Sequence, residues 1–306
     1  MQREETHLSA VGARVRVAAR ARRRARRAAS WRACAVLGAA LAGALLVGPD
    51  DARAVARFGT RCQADFQIDW EDTPPSMWQD YLPYMWERCQ WFVDELNDTD
   101  TSVFYFNLTN SKSRYSTCDS CGTGVDDVAL MYTGTHGGAY ESPNVLLAMW
   151  EQDVFALSVT DGWRYGDEAT RCSIFAQYAC ETLTAGDSVG QMIDRWRGTF
   201  RGGLRMALGS HGTLWDSVTT NECGEDFADD LQAGKTLKWA WFDGNDDAYS
   251  DQDVKVLATG TGSSDSAAKS NCKIRRDWMM WQNFGDWPRL RDGDVDWFCS
   301  SRISNN

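Results

Sequence analysis

Beyond residue 56 the chain alternates between short apolar runs and stretches whose apolar residues recur at helical spacing. Residues 64–70 (Ala-Asp-Phe-Gln-Ile-Asp-Trp) alternate as a strand does, and 75–97 read as an amphipathic helix carrying Met77, Tyr81, Met85 and Phe92, broken or kinked at Pro83. Strands are expected over 102–108, 128–133, 172–179, 204–208 and 254–258. Two apolar segments within 145–160, around Glu151-Gln152-Asp153, suit a hairpin or a short irregular excursion, and helices are expected over 190–200 and 224–249, the second broken at Gly234. Residues 260–270 are small and read as an exposed loop, a natural place for a processing cut, and the tail to Asn306 is rich in Trp and Asp. No internal repeat is visible. Strands that alternate with helices and are apolar on both faces predict a mainly parallel sheet covered on each side, a three-layer α/β/α sandwich.

The first 56 residues follow a different pattern. Nine arginines lie between Arg14 and Arg32, an apolar run of about fifteen residues extends from Ala33 to Gly48, and Ala54-Val55-Ala56 supplies a small-residue cleavage site. The run is short of the roughly twenty residues a spanning helix needs. The reading is therefore a signal peptide over 1–56 and one domain over 57–306 that ends in the Trp/Asp-rich segment, a secreted protein without stable membrane association once the leader is cut. An uncleaved anchor is the alternative. The residues after Arg26-Arg27 match the twin-arginine motif poorly, so the export route stays open.

Cleavage would remove eleven arginines and four acidic residues, leaving 21 basic against 39 acidic side chains. Nucleic acid and anionic membranes repel such a surface and are excluded as partners.

Export also changes the meaning of the cysteines. Nine would remain after Cys34 leaves with the leader. In an oxidising compartment an odd number implies one free thiol. Cys62, Cys89, Cys118, Cys121, Cys172, Cys223, Cys272 and Cys299 are the disulfide candidates, with the pairing open; Cys62 and Cys299 sit near the two ends of the mature chain, where a staple suppresses fraying. Cys118-Asp-Ser-Cys121 has no second such pair to complete a zinc site. Cys180 is the remaining thiol.

Cys180 ends an apolar strand, and so do the two histidines of the mature chain, His136 and His211. In an open α/β sheet the carboxyl ends of the strands share one crevice, where chemistry gathers. A thiol becomes a nucleophile when an imidazole accepts its proton. His136 is flanked by glycines at 134, 137 and 138, so its backbone can approach a substrate carbonyl; the amides of Gly137 and Cys180 would then donate to an oxyanion. His211 is a secondary candidate, as alternative base or substrate contact. Glu181 either joins the site or only caps the following helix.

Tyr132-Thr133-Gly134-Thr135-His136-Gly137 followed by Gln177-Tyr178-Ala179-Cys180-Glu181-Thr182 resembles the caspase-like cysteine peptidases of clan CD, which include caspases, gingipains, clostripain and bacterial CHAT domains. Those proteins end one strand in His-Gly and the next core strand in Ala-Cys, in that order. The separation here, 44 positions, is near the roughly fifty of caspases. Ala-Cys-Glu-Thr, a helix, and then Gly202-Gly203-Leu204-Arg205-Met206-Ala207-Leu208 is similar to the CHAT arrangement. The likeness extends over about residues 100–215 and departs at Thr135, where Gly or Ser is common, and in having no identifiable caspase-type arginine pocket. It implies a caspase-like fold and a cysteine endopeptidase acting on peptides or proteins, with His136 and Cys180 as the dyad.

Two other classes stay open. A binding protein on the same scaffold would keep the dyad without turnover. A glycosidase with paired carboxylates is the other, because fifteen tryptophans are many for this length and Trp beside Asp or Glu lines sugar clefts. The peptidase chemistry requires no metal or organic cofactor. The acidic clusters 225–230 and 243–247 are the oxygen-rich segments that calcium would use, although neither has the EF-hand pattern. Asp161, Asp167 and Glu168 would suit recognition of Arg or Lys before the cleaved bond.

Overall fold

A computed structural model describes residues 56–64, 82–97, 102–109, 128–139, 145–148, 154–157, 172–184, 189–200, 203–246, 252–277 and 297–303. Residues 1–55 of the expected leader, Cys118, Cys121, Glu151-Gln152-Asp153 and Asp161, Asp167 and Glu168 lie outside them.

The main sheet has seven strands: β1 (Ala56–Cys62), β2 (Ser102–Thr109), β3 (Leu130–Gly134), β7 (Ile174–Tyr178), β8 (Met206–Ser210), β9 (Val254–Gly260) and β10 (Trp297–Arg302). Their order across the sheet is β10-β9-β8-β7-β3-β1-β2. The run from β2 to β8 is parallel, while β9 and β10 are antiparallel to their neighbours, so the sheet is mixed and mostly parallel. A separate three-stranded sheet of β4 (Gly137–Ala139), β5 (Val145–Ala148) and β6 (Val154–Leu157) is antiparallel, as the paired apolar segments predict.

The apolar runs are buried on both faces of the sheet. Alternate residues fall into two core clusters. Leu130, Tyr132, Ile174, Ala176, Met206 and Leu208 pack with helices α1 (Met85–Asn97), α3 (Cys223–Gln232) and α4 (Leu237–Asp246). Met131, Phe175, Ala207 and Leu257 pack with Met192, Trp196 and Phe200 of α2 (Val189–Phe200). The first cluster is rich in rings: Phe92 stacks on Tyr132 at 4.6 Å and on Phe227 at 5.7 Å, and Trp241 meets Phe227 edge-on at 5.2 Å. Each such pair adds about 0.5–1.5 kcal/mol beyond simple burial.

Several boundaries differ from the sequence reading. β1 begins at Ala56, at the expected end of the leader, and its two arginines and glycine hid it; residues 65–70 of the expected first strand lie outside the described residues. Helix α1 starts two residues after Pro83, while residues 75–81 of the expected helix lie outside the described residues, and Gly234, at φ 80°, separates α3 from α4.

The expected loop over 260–270 is largely helix α5 (Asp265–Arg276). Ser264 caps it by accepting the Ala267 amide at 3.3 Å, Asp265 stands in the first turn and Lys273, Arg275 and Arg276 in the last. Its buried stripe is only Ala268, Cys272 and Arg275, too weak to stand out among small residues.

Disulfides join Cys62 to Cys89 and Cys272 to Cys299, the first tying β1 to α1 and the second α5 to β10. Each terminal cysteine is thus stapled to its own neighbourhood. Cys223 is a correction to the candidate set, because it is free and buried, a packed thiol that accepts from Gln252. Cys172 is also buried, its sulfur donating to the Ile174 carbonyl at 3.3 Å. Burial pushes the Cys223 thiol up to about 11, against the pull of Arg88. Alkylation of denatured, unreduced protein should therefore mark Cys180 and Cys223 and leave Cys62, Cys89, Cys272 and Cys299 unmarked. Peptide mapping by mass spectrometry reads this directly, and modification of Cys62 or Cys272 would contradict the assignment.

Candidate functional site at the carboxyl ends of β3, β7 and β8

Strands β3 and β7 are parallel neighbours in register, Gly134 opposite Tyr178. The ladder continues one step further, where the Thr135 amide donates to the Tyr178 carbonyl at 3.2 Å. The next residues outward are His136 and, one beyond Ala179, Cys180. Parallel pairing therefore delivers both dyad candidates to the same edge of the sheet.

Gly137 closes this arrangement. A Cβ added to it would lie 2.5 Å from the Cys180 carbonyl oxygen and 2.8 Å from the Ala179 Cβ. The His-Gly backbone thus rests directly on the Ala-Cys backbone, which only glycine permits. Gly137→Ala should destabilise the fold by about 1–3 kcal/mol through overpacking and lower the reactivity of Cys180. Thermal melting and thiol alkylation read the two effects, and an unshifted melt would show that the two backbones have room to part.

Beyond Cys180 the chain turns sharply. Glu181 has φ 55°, the one non-glycine residue with positive φ among the described residues, and its amide donates to the Gly212 carbonyl at 3.0 Å. A left-handed glutamate is strained by about 1–2 kcal/mol, and such strain collects where a side chain must be presented. The turn is held from below. Trp196 donates from Nε1 to the Thr182 carbonyl at 2.9 Å, Ser210 Oγ donates to the Ala179 carbonyl at 2.7 Å, and Trp241 Nε1 reaches the Gly209 carbonyl at 3.0 Å. Trp196 and Trp241, read as sugar-cleft material from composition, are buried struts here.

The Cys180 sulfur is half-buried beneath residue 214. The Leu214 amide donates to Sγ at 3.4 Å, and the thiol donates to the Leu214 carbonyl at 3.6 Å. Burial pushes the thiol above its ordinary value; the Leu214 backbone pulls it down and the Glu181 carboxylate pushes it up.

His211 ends β8, its amide donating to the Asp253 carbonyl at 2.7 Å. Burial first, then Arg302 and Lys255, hold its imidazole below the usual histidine range, opposed by Asp253 and the Leu183 backbone. Its electrostatic surroundings are those of the β9–β10 corner.

Residues absent from the sequence reading complete the site. Arg88 of α1 is fully buried, 3.7 Å above the Tyr178 ring. It donates to Asp216 at 3.0 Å and to the Thr220 carbonyl and hydroxyl at 3.0 Å each. The Tyr84 amide also donates to Asp216, and the Tyr178 hydroxyl donates to the Trp215 carbonyl at 2.8 Å. The signal for Arg88 is a lone arginine within the apolar stripe 85-88-89-92-96 of α1.

The acidic clusters have other occupations. Asp226, Asp229 and Asp230 lie on α3 and Asp243 on α4, and Lys235 bridges Asp230 and Asp243 at 2.8 and 2.7 Å. Among the described residues no group of three or more His, Cys, Asp or Glu side chains is arranged to hold a metal ion.

A family model described as a domain of unknown function, DUF6345, matches residues 70–284, more than half of the chain. The chain belongs to that family. The matched span of this DUF6345 member contains Arg88, His136, Gly137, Cys180 and Leu214, whereas β1 and β10 lie outside it. No curated protein matches the chain.

Proposed function

We propose that this chain is a secreted cysteine peptidase with a caspase-like, three-layer α/β/α architecture. The observation that carries the reading is the close packing of Gly137 on Cys180 at the ends of paired parallel strands, with His136 beside it in sequence. In the reaction, the Cys180 proton passes to His136 as the sulfur bonds to the scissile carbonyl carbon. The amides of Gly137 and Cys180 hold the oxyanion. His136 then returns the proton to the leaving amine as the C–N bond breaks, and water hydrolyses the thioester. His136 acts in this scheme as the general base at the moment of attack.

Two disulfides fit an oxidising compartment, and no helix among the described residues is long and apolar enough to cross a membrane. Peptides or proteins are the proposed substrates; nucleic acid is not a proposed partner. A non-catalytic binding protein on the same scaffold is the second reading, favoured by the Leu214 backbone lying over the sulfur. The glycosidase reading gives Cys180 no role.

A panel of peptidyl acyloxymethyl ketones separates these readings. A peptidase forms a thioether at Cys180 that is lost in His136→Ala, whereas a binding protein leaves Cys180 unmodified across the panel.

A further inference from the structure

The 214–220 segment is fastened by more than a surface loop requires. Arg88 and Asp216 form an ion pair whose side chains are 0% and 6% exposed. Thr220 accepts from Arg88 through both its carbonyl and its hydroxyl, while the Thr220 hydroxyl donates to the Trp215 carbonyl at 2.5 Å. Tyr178, two residues before Cys180, supplies the ring under Arg88 and also bonds Trp215 and Gln252. Every tie converges on the residues that follow Leu214. Leu214 itself is 7% exposed and touches the sulfur with both backbone polar atoms, whereas Trp215 and Val218 are 53% and 50% exposed. The segment thus has a fixed root and an exposed outer face, with the thiol under its first residue.

We infer that residues 214–220 form a cover over Cys180, bolted shut by Arg88 through Asp216 and Thr220, so that Arg88 is a positioning residue that sets the access and ionisation of the thiol. The inference deepens the peptidase reading by giving its nucleophile a closed resting state, from which an arriving substrate displaces Leu214. Among the described residues, the charged group that acts on the sulfur is the Glu181 carboxylate on the same turn, which neither variant replaces.

The test is the rate of iodoacetamide addition to Cys180 against pH in wild type, Asp216→Asn and Thr220→Val, with each adduct located by mass spectrometry. In wild type the midpoint should lie above the ordinary thiol value of 9.0, because burial outweighs the Leu214 contribution. Cutting the bolt admits water, so the midpoint should fall toward 9.0 and labelling at about pH 7.5 should rise several-fold. Far-UV circular dichroism of each variant is the control and should match wild type. An unchanged Cys180 profile in both variants overturns the inference, as does a rise accompanied by loss of the far-UV signal, which would indicate general loosening.

The two readings fail separately. Peptide hydrolysis by wild type with an unmoved Cys180 profile sinks the cover alone. A shifted profile without hydrolysis keeps the cover and sinks the peptidase.

Discussion

Replacing His136 by alanine is expected to lower peptide hydrolysis by about 10²–10⁴-fold, the usual contribution of a positioned general base. Cys180→Ala should remove the activity to the detection limit, and the double variant should be no worse than Cys180→Ala, because the two groups act as a unit. Both variants should fold. Neither side chain belongs to the two core clusters, and the thiol-to-methyl change at Cys180 removes one half-buried atom. If hydrolysis by His136→Ala equals that of wild type, the base lies elsewhere, and His211 becomes the residue to replace next.

The second large effect falls on stability. Arg88→Met should cost about 3–5 kcal/mol, the cost of breaking a buried ion pair from one side, because Asp216 is left with its charge and a single backbone donor from Tyr84. The Thr220 carbonyl loses its guanidinium donors at the same time. Denaturant unfolding reads the loss in its midpoint. Arg88→Met/Asp216→Leu should recover part of it, since removing both charges is far cheaper than removing one. A loss under about 1 kcal/mol would mean that Asp216 is solvated in the folded protein.

Much of the frame was legible in the sequence. Leu130–Gly134, Ile174–Tyr178 and Val254–Gly260 are apolar runs buried at every position, and an apolar run bounded by turn residues is what a sheet covered on both faces demands. The juxtaposition of β3 with β7 follows from the same logic, and with it the shared edge reached by His136 and Cys180. What escaped was long-range and polar. Arg88 is 128 positions from Asp216 and 132 from Thr220, and no local spacing announces such a contact. The strand Ala-Arg-Phe-Gly-Thr-Arg-Cys reads as polar, yet Arg61 is 2% exposed within it. Cysteine parity misled because it assumed that every thiol but one would pair. Cys223 is instead stored as a packed thiol in the first core cluster. Trp196 and Trp241 were likewise not legible as core, since an indole buries a large surface and still needs one acceptor, which the Thr182 and Gly209 carbonyls supply.

The central claim, that Cys180 is the nucleophile of a peptidase, is tested most directly by incubating wild type and Cys180→Ala with a complex peptide library and sequencing the new ends by mass spectrometry. The account predicts new amino termini at a common subset of bonds with wild type and none with Cys180→Ala. An uncut library with wild type, or the same cuts with Cys180→Ala, would contradict it.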